Sequence, residues 1–174
     1  SRAGSRHESK ETEGLSRFYS IMSLKRSRAF PQQLDISVEL DRLGAFINIE
    51  QNREYSAVYI KAYNEYFADA VRLLGEMVAH PIFDTKDIED EKKYFASEIQ
   101  NRFADQNGSA LDELFKLIFP GQGLAFSGIG DKNAITSIGE AALQQYHETF
   151  HTGLNSALVV NLGMGSVQPD DFSS

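Results

Sequence analysis

Cysteine is absent from this chain. Its absence excludes disulfides, thiolate metal sites and thiol nucleophiles, and it fits a reducing compartment. Positive charge is scarce: 17 Lys and Arg stand against 25 Asp and Glu, a formal net charge of −8. A general nucleic-acid binder needs a basic face, so nucleic acid is not an expected partner. The acidic balance suits a basic partner instead. Long apolar runs are missing too. None approaches the roughly 20 residues of a membrane-crossing helix, so no direct membrane span is expected. Residues 1–14 mix acids with bases and do not read as a targeting peptide. The glycine-rich stretch 120–130 holds no G-x-x-x-x-G-K-[ST], which excludes a P-loop.

What is present points to a folded core. Hydrophobic residues make up 41% of 174 positions, with twelve Phe and seven Tyr, enough for one domain of ordinary size. Apolar spacings of three, four and seven at Leu15, Phe18, Ile21 and Met22 predict a helix over 14–24. Lys25-Arg26-Ser27-Arg28 reads as a solvated basic loop. Pro31 opens a second helix, with Leu34, Val38 and Leu40 as its apolar positions and Gly44 as its C-terminal cap. Strands follow over 45–50 and 55–63, joined by a turn at Gln51-Asn52-Arg53. A helix over 64–80 should bury Phe67, Val71, Leu74 and Val78, and Pro81 ends it. A long charged helix is expected from Asp84 to about Asn107, a shorter one over 109–119 and another from Glu140 to about Thr149. Ala157-Leu158-Val159-Val160 suggests a buried strand over 156–163. This order gives an α+β class, a mixed or antiparallel sheet with helices packed on one face.

Gly4-Ser5-Arg6-His7-Glu8, the helix after Gly14 and the distant Glu98 together resemble the pitrilysin/insulinase family of metallopeptidases, the inverzincins. Supporting pieces lie in the same order: Leu43-Gly44-Ala45-Phe46-Ile47-Asn48, Asn52-Arg53-Glu54, Pro81-Ile82-Phe83, and Glu91 with Glu98 seven positions on. The resemblance covers about residues 3–165. It implies a strand ending over 3–8, and an H-x-x-E-H helix whose histidines hold zinc while the glutamate activates water. Here Arg17 stands at the first histidine position, Ser20 at the glutamate and Ile21 at the second histidine. Glu98 matches the third zinc ligand and Glu91 the supporting acid. Arginine repels a divalent cation, serine takes no proton from water at neutral pH, and isoleucine has no lone pair. The resemblance therefore implies a degenerate site with no catalytic residue, no metal and no cofactor. It also implies an incomplete N-terminal peptidase-like domain over 1–167, lacking its first strands, with 168–174 as a polar tail or linker.

Family members with emptied sites are typical of two mitochondrial assemblies. One is the pair of matrix-facing core subunits of the ubiquinol–cytochrome c reductase (cytochrome bc1) complex; the other is the processing peptidase with its non-catalytic alpha subunit. The implied partners are a related peptidase-like core subunit and the other bc1 subunits, on the matrix side of the inner membrane. The second core subunit is the favoured match, because both histidines and the glutamate are lost together. An emptied alpha subunit binding basic presequences is the alternative.

A rival sits near the end. His147-Glu148-Thr149-Phe150-His151 reads H-E-x-x-H, the zincin pattern, with two histidines on one helix face and Glu148 as base. Against it, Gly153 follows at once and no histidine stands where the longer metzincin pattern needs one. Ser16 lacks the second glycine of G-x-S-x-G. Glu50 and Glu54, like Glu91, read as solvated acids, and Tyr55, Tyr59 and Tyr63 as sheet packing.

Overall fold

Gly14 and Gly130 meet back to back, and that contact sets the first helix against the rest of the chain. A Cβ on Gly14 would lie 2.6 Å from the Gly130 Cα, and both residues have positive φ, 95° and 96°. Only glycine allows both the approach and the left-handed backbone. In the computed structural model, which describes residues 1–104, 106–126 and 128–162, helix α1 (Leu15–Met22) starts directly after this contact. It is buried almost all round: Phe18, Tyr19 and Met22 face the main core with 0–1% exposure. Phe83, Ile88, Phe95, Ile99, Ile135, Ile138, Leu143 and Tyr146 complete that core. They come from α4 (Thr85–Ala104), α6 (Lys132–Ser137), α7 (Glu140–Phe150) and the loops beside them. Asp84 Oδ1 accepts from the Lys86 and Asp87 N–H groups and so caps α4. Asp131 caps α6 in the same way, through Asn133 and Ala134.

A second, smaller core lies under the hairpin. Strands β1 (Phe46–Gln51) and β2 (Ser56–Lys61) pair antiparallel with Gln51 opposite Ser56. Ile47 and Ile60 pack inward onto Ile36, Leu43, Leu73 and Met77, from α2 (Gln33–Arg42) and α3 (Phe67–Ala79). Phe46, Asn48 and Glu50 alternate outward to solvent. The α+β class with an antiparallel sheet is present, as a helix-dominated fold around a two-stranded sheet among the described residues.

Several boundaries and faces differ from those read off the sequence. Helix α2 buries the line of Ile36, with Leu40 and Leu43 beside it, and leaves Leu34 and Val38 69% and 59% exposed. Positions two apart lie on opposite sides of a helix, so only one line faces the core. On α3 the buried stripe is Ala70, Leu73 and Met77. Phe67, Val71 and Leu74, three of the four expected core residues, line an open slot of about 600 Å³ beside β2. The long charged helix ends at Ala104, and α5 (Gln106–Ile118) begins earlier than expected. No strand ends over 3–8; Ser5–His7 is a 3-10 turn held by Arg6 N–H donating to the Arg53 carbonyl. Residues 156–162 form no ladder, and Val159 is 87% exposed. Gly163 and the tail 168–174 lie outside the described residues. The basic loop is tied down: Arg26 grips Asp87 through Nε and Nη2, at 2.5 and 3.2 Å, and Ser27 is buried. None of the described helices is long and apolar enough to cross a membrane.

Candidate functional site

Helix α1 is placed by a buried carboxylate. Glu8 accepts from the backbone N–H of Gly14 and of Ser16, each at 2.8 Å, at the helix N-terminus where negative charge is favoured. Burial pushes the Glu8 carboxyl above its ordinary range, against the lowering effect of those hydrogen bonds. With α1 fixed this way, Arg17 turns toward α4 and its Nη2 donates to Glu98 Oε1. The pair is half-open, the side chains being 36% and 26% exposed. Arg17 Nε and Glu98 Oε2 have no hydrogen-bond partner, so the contact is single and not the two-pronged fork available to arginine.

Ser20 lies beneath, 1% exposed, with its Oγ 2.8 Å from both the Ser16 carbonyl oxygen and Gln51 Oε1. Its single proton serves one of them at a time. Gln51 in turn donates Nε2–H to the carbonyls of Ala3 and Asn52. Ile21 packs against the main core. Glu91 does not join Arg17; it pairs with Lys25 at 2.7 Å, in a contact exposed by only 10% on the acid side. Thus Arg17 and Glu98 meet, Ser20 supports the neighbouring hairpin, and Ile21 and Glu91 serve separate contacts.

Arg17 and Glu98 line a polar cavity of about 340 Å³ together with Ser16, Asn52, Arg53 and Asp112. Arg53 donates Nη2–H to Asp112 Oδ1 at 3.0 Å and lies 3.8 Å over the Phe115 ring. Neither Arg53 nor Asp112 stood out as a site residue in the sequence. Arg53 reads as part of a turn, and Asp112 is 59 positions away with no local signal. The donor set does not fit a divalent metal. Each of the two carboxylates on the cavity wall, Glu98 and Asp112, is paired with a guanidinium, and isoleucine offers no lone pair.

The H-E-x-x-H residues are engaged otherwise. Tyr19 OH lies 2.8 Å from His147 Nδ1, and the Tyr19 ring stacks on His151 with centroids 4.5 Å apart. The two imidazoles are nearly parallel, 6.0 Å between centroids. Burial lowers the pKa of both, His151 to about 3, with the charge of His147 adding to the effect there. Glu148 is exposed and accepts from Gln144 Nε2. Among the described residues no group of three or more His, Asp or Glu is placed to hold a metal ion.

The chain matches the model of the insulinase family, peptidase family M16, over residues 2–131, and it belongs to that family. Core protein I of the mitochondrial ubiquinol–cytochrome c reductase complex of Euglena gracilis is 28% identical over 95% of this chain and 33% of its own length. The uncharacterized zinc protease YmxG of Bacillus subtilis is 28% identical over 86% of this chain and 36% of its own. The mitochondrial-processing peptidase subunit beta of Blastocladiella emersonii is 26% identical over 95% and 35%. A protease from Helicobacter pylori superposes with a TM-score of 0.81 at 15% identity, over 88% of this chain and 37% of that one, which shows the fold. The chain spans about a third of the length of the curated relatives it matches.

Proposed function

We propose that this chain is a non-catalytic, peptidase-like subunit that scaffolds a mitochondrial assembly. The observation that carries the reading is the Arg17–Glu98 ion pair. It fills, with a positive side chain, the place where the family's chemistry needs a metal cation, and Ser20 and Ile21 supply neither base nor ligand. Arg17, Ser20, Ile21 and Glu98 are the degenerate site positions, and Glu91, held by Lys25, is the supporting acid.

The assembly we favour is the ubiquinol–cytochrome c reductase, with the chain on the matrix side of the inner membrane beside a related core subunit. Support comes from the core-protein relative in Euglena. That relative is a core protein I, so the choice of the second core subunit rests on the substitutions in α1 alone. Affinity purification from mitochondria tests the assignment. Cytochromes b and c1 are expected to co-purify, and their absence beside a single active peptidase subunit would overturn it.

A second reading has its own support. Processing peptidase beta subunits are relatives too, at 26% identity against 28% for the core protein, and the net charge of −8 suits basic presequences. In this reading the chain is the alpha subunit, presenting presequences to an active partner. Cross-linking a presequence peptide to the chain in the presence of that partner distinguishes it from the scaffold.

A further inference from the structure

The polar cavity beside α1 has more hydrogen-bond donors than its own ion pairs use. Arg17 spends Nη2 on Glu98 and Arg53 spends Nη2 on Asp112, while a guanidinium carries five N–H donors. The Nε of both arginines is buried with no partner. Asn52 uses its Oδ1 on the Glu54 and Tyr55 N–H groups, at 2.9 and 3.0 Å, which leaves its NH2 unspent.

The cations are held in place before anything binds. Arg53 has its guanidinium carbon 3.8 Å from the Phe115 ring centroid, and that of Arg17 lies 6.0 Å from the Phe95 centroid. Preorganised donors lose little on binding. The volume of about 340 Å³ admits a small molecule and is too narrow for a folded partner. Guanidinium groups match planar or tetrahedral oxyanions. The balance of charge chooses between them. Glu98 and Asp112 already balance the charges of Arg17 and Arg53, so any ligand charge is met by donors alone, and a dianion carries twice the unbalanced charge of a monoanion.

We propose that this cavity binds a small carboxylate, with Arg17, Arg53 and the Asn52 amide as donors to its oxygens. It is a ligand site of its own, needing neither a partner subunit nor a reaction.

The test is a titration of the protein with sodium acetate and, separately, with inorganic phosphate, against sodium chloride at equal ionic strength. The arginine Nε–H and Asn52 side-chain resonances report binding. Acetate is expected to shift them saturably and more tightly than phosphate. Arg17→Gln and Arg53→Gln are each expected to weaken acetate about tenfold, the loss of one charge-assisted contact. Should Arg53→Gln fail to fold, Arg17→Gln decides, because its ion pair is the more exposed. Shifts no larger than those with chloride, acetate affinity unchanged in a folded Arg17→Gln, or tighter binding of phosphate than of acetate would each overturn the assignment.

Discussion

Arg17 on α1 donates to the Glu98 carboxylate on α4, 81 positions along the chain. The contact joins the two helices whose side chains would hold a metal in an active relative, and it leaves a carboxylate neutralised by the chain itself. Its strength lies between two limits. Exposed pairs contribute under about 1 kcal/mol, and breaking a fully buried one costs about 3–5 kcal/mol. At 36% and 26% side-chain exposure, with one hydrogen bond formed, Arg17→Ala should destabilise by roughly 1–2 kcal/mol. Arg17→Ala/Glu98→Ala together should cost less than the sum of the single changes. Urea denaturation of the four proteins checks this; additive losses would mean the two groups are not coupled.

The emptied-site reading makes a prediction about metal. As it stands the protein should hold no stoichiometric zinc and cleave no peptide, because the donors around Glu98 are wrong in kind. Arg17→His/Ser20→Glu/Ile21→His rebuilds H-x-x-E-H on the same helix, four positions apart and near Glu98. This triple variant should gain one zinc per chain by elemental analysis. Zinc in the unmodified protein, lost on changing His147 and His151, would instead support the rival zincin site.

The position of α1 depends on two glycines, and that dependence is measurable. Gly14→Ala puts a Cβ 2.6 Å from Gly130 on a backbone with φ of 95°. Both effects disfavour the fold, and a loss of roughly 2–4 kcal/mol is expected from strain and overpacking together. Gly139, with no neighbour within 4 Å of a built Cβ and an extended backbone, should lose no more than about 1 kcal/mol on change to alanine, the N-cap preference for glycine at the start of α7. Thermal melts of the two variants give the comparison. Equal losses would remove the Gly14–Gly130 contact from the account of how α1 is placed.

What was legible in the sequence follows from how local each signal is. The frame from Gly14 to Met22 is a run of adjacent residues, and aligning it assigns Arg17 and Glu98 to positions of one site. The faces of α2 and α3 were not legible, because each carries more than one apolar line. Periodicity locates a stripe without saying which of two faces the core, as Leu34 against Ile36 and Phe67 against Ala70 illustrate. Arg53–Asp112 and Lys25–Glu91 join residues far apart in sequence, and no spacing rule reaches across that separation. Residues 156–162 look like a strand because Ala157-Leu158-Val159-Val160 is an unbroken apolar run, yet a ladder needs a neighbour.

Acid should loosen the contact between α1 and α7. Burial holds His151 neutral, with a pKa of about 3 against an ordinary 6.5. Because the folded value is the lower one, this stability is fully present above pH 6.5. It is lost as pH falls from 6.5 toward about 3. The slope is about 1.4 kcal/mol per pH unit, so near pH 5 about 2 kcal/mol should be gone. Glu8, whose carboxyl is raised by burial, acts in the opposite sense as it takes up a proton. Its contribution is present in both proteins when wild type is compared with His151→Gln. Denaturation midpoints at pH 7 and pH 5 should converge for the variant and separate for wild type. An equal loss in both would place the acid sensitivity elsewhere.

The outer edge of β2 leads to the last prediction. Ser1 and Ser56 exchange backbone hydrogen bonds at 2.8 and 3.0 Å, so the Ser56 side of β2 faces away from β1. Alternation then points the backbone groups of Val58 and Ile60 the same way, into the slot bounded by residues 157–162. Phe67, Val71 and Leu74 form its apolar floor. Unpaired strand edges beside apolar surface promote association. A second apolar face adds to this, since Leu114, Leu117 and Ile118 of α5 are 48%, 80% and 55% exposed. Alone in solution, the 174-residue chain should therefore elute from size exclusion as oligomers or aggregate and bind a hydrophobic dye. Val58→Lys should reduce self-association through the slot, by setting a charge on its wall. Leu117→Lys should do so through α5. A well-behaved monomer with low dye binding would count against a subunit that needs partners, whichever assembly it serves.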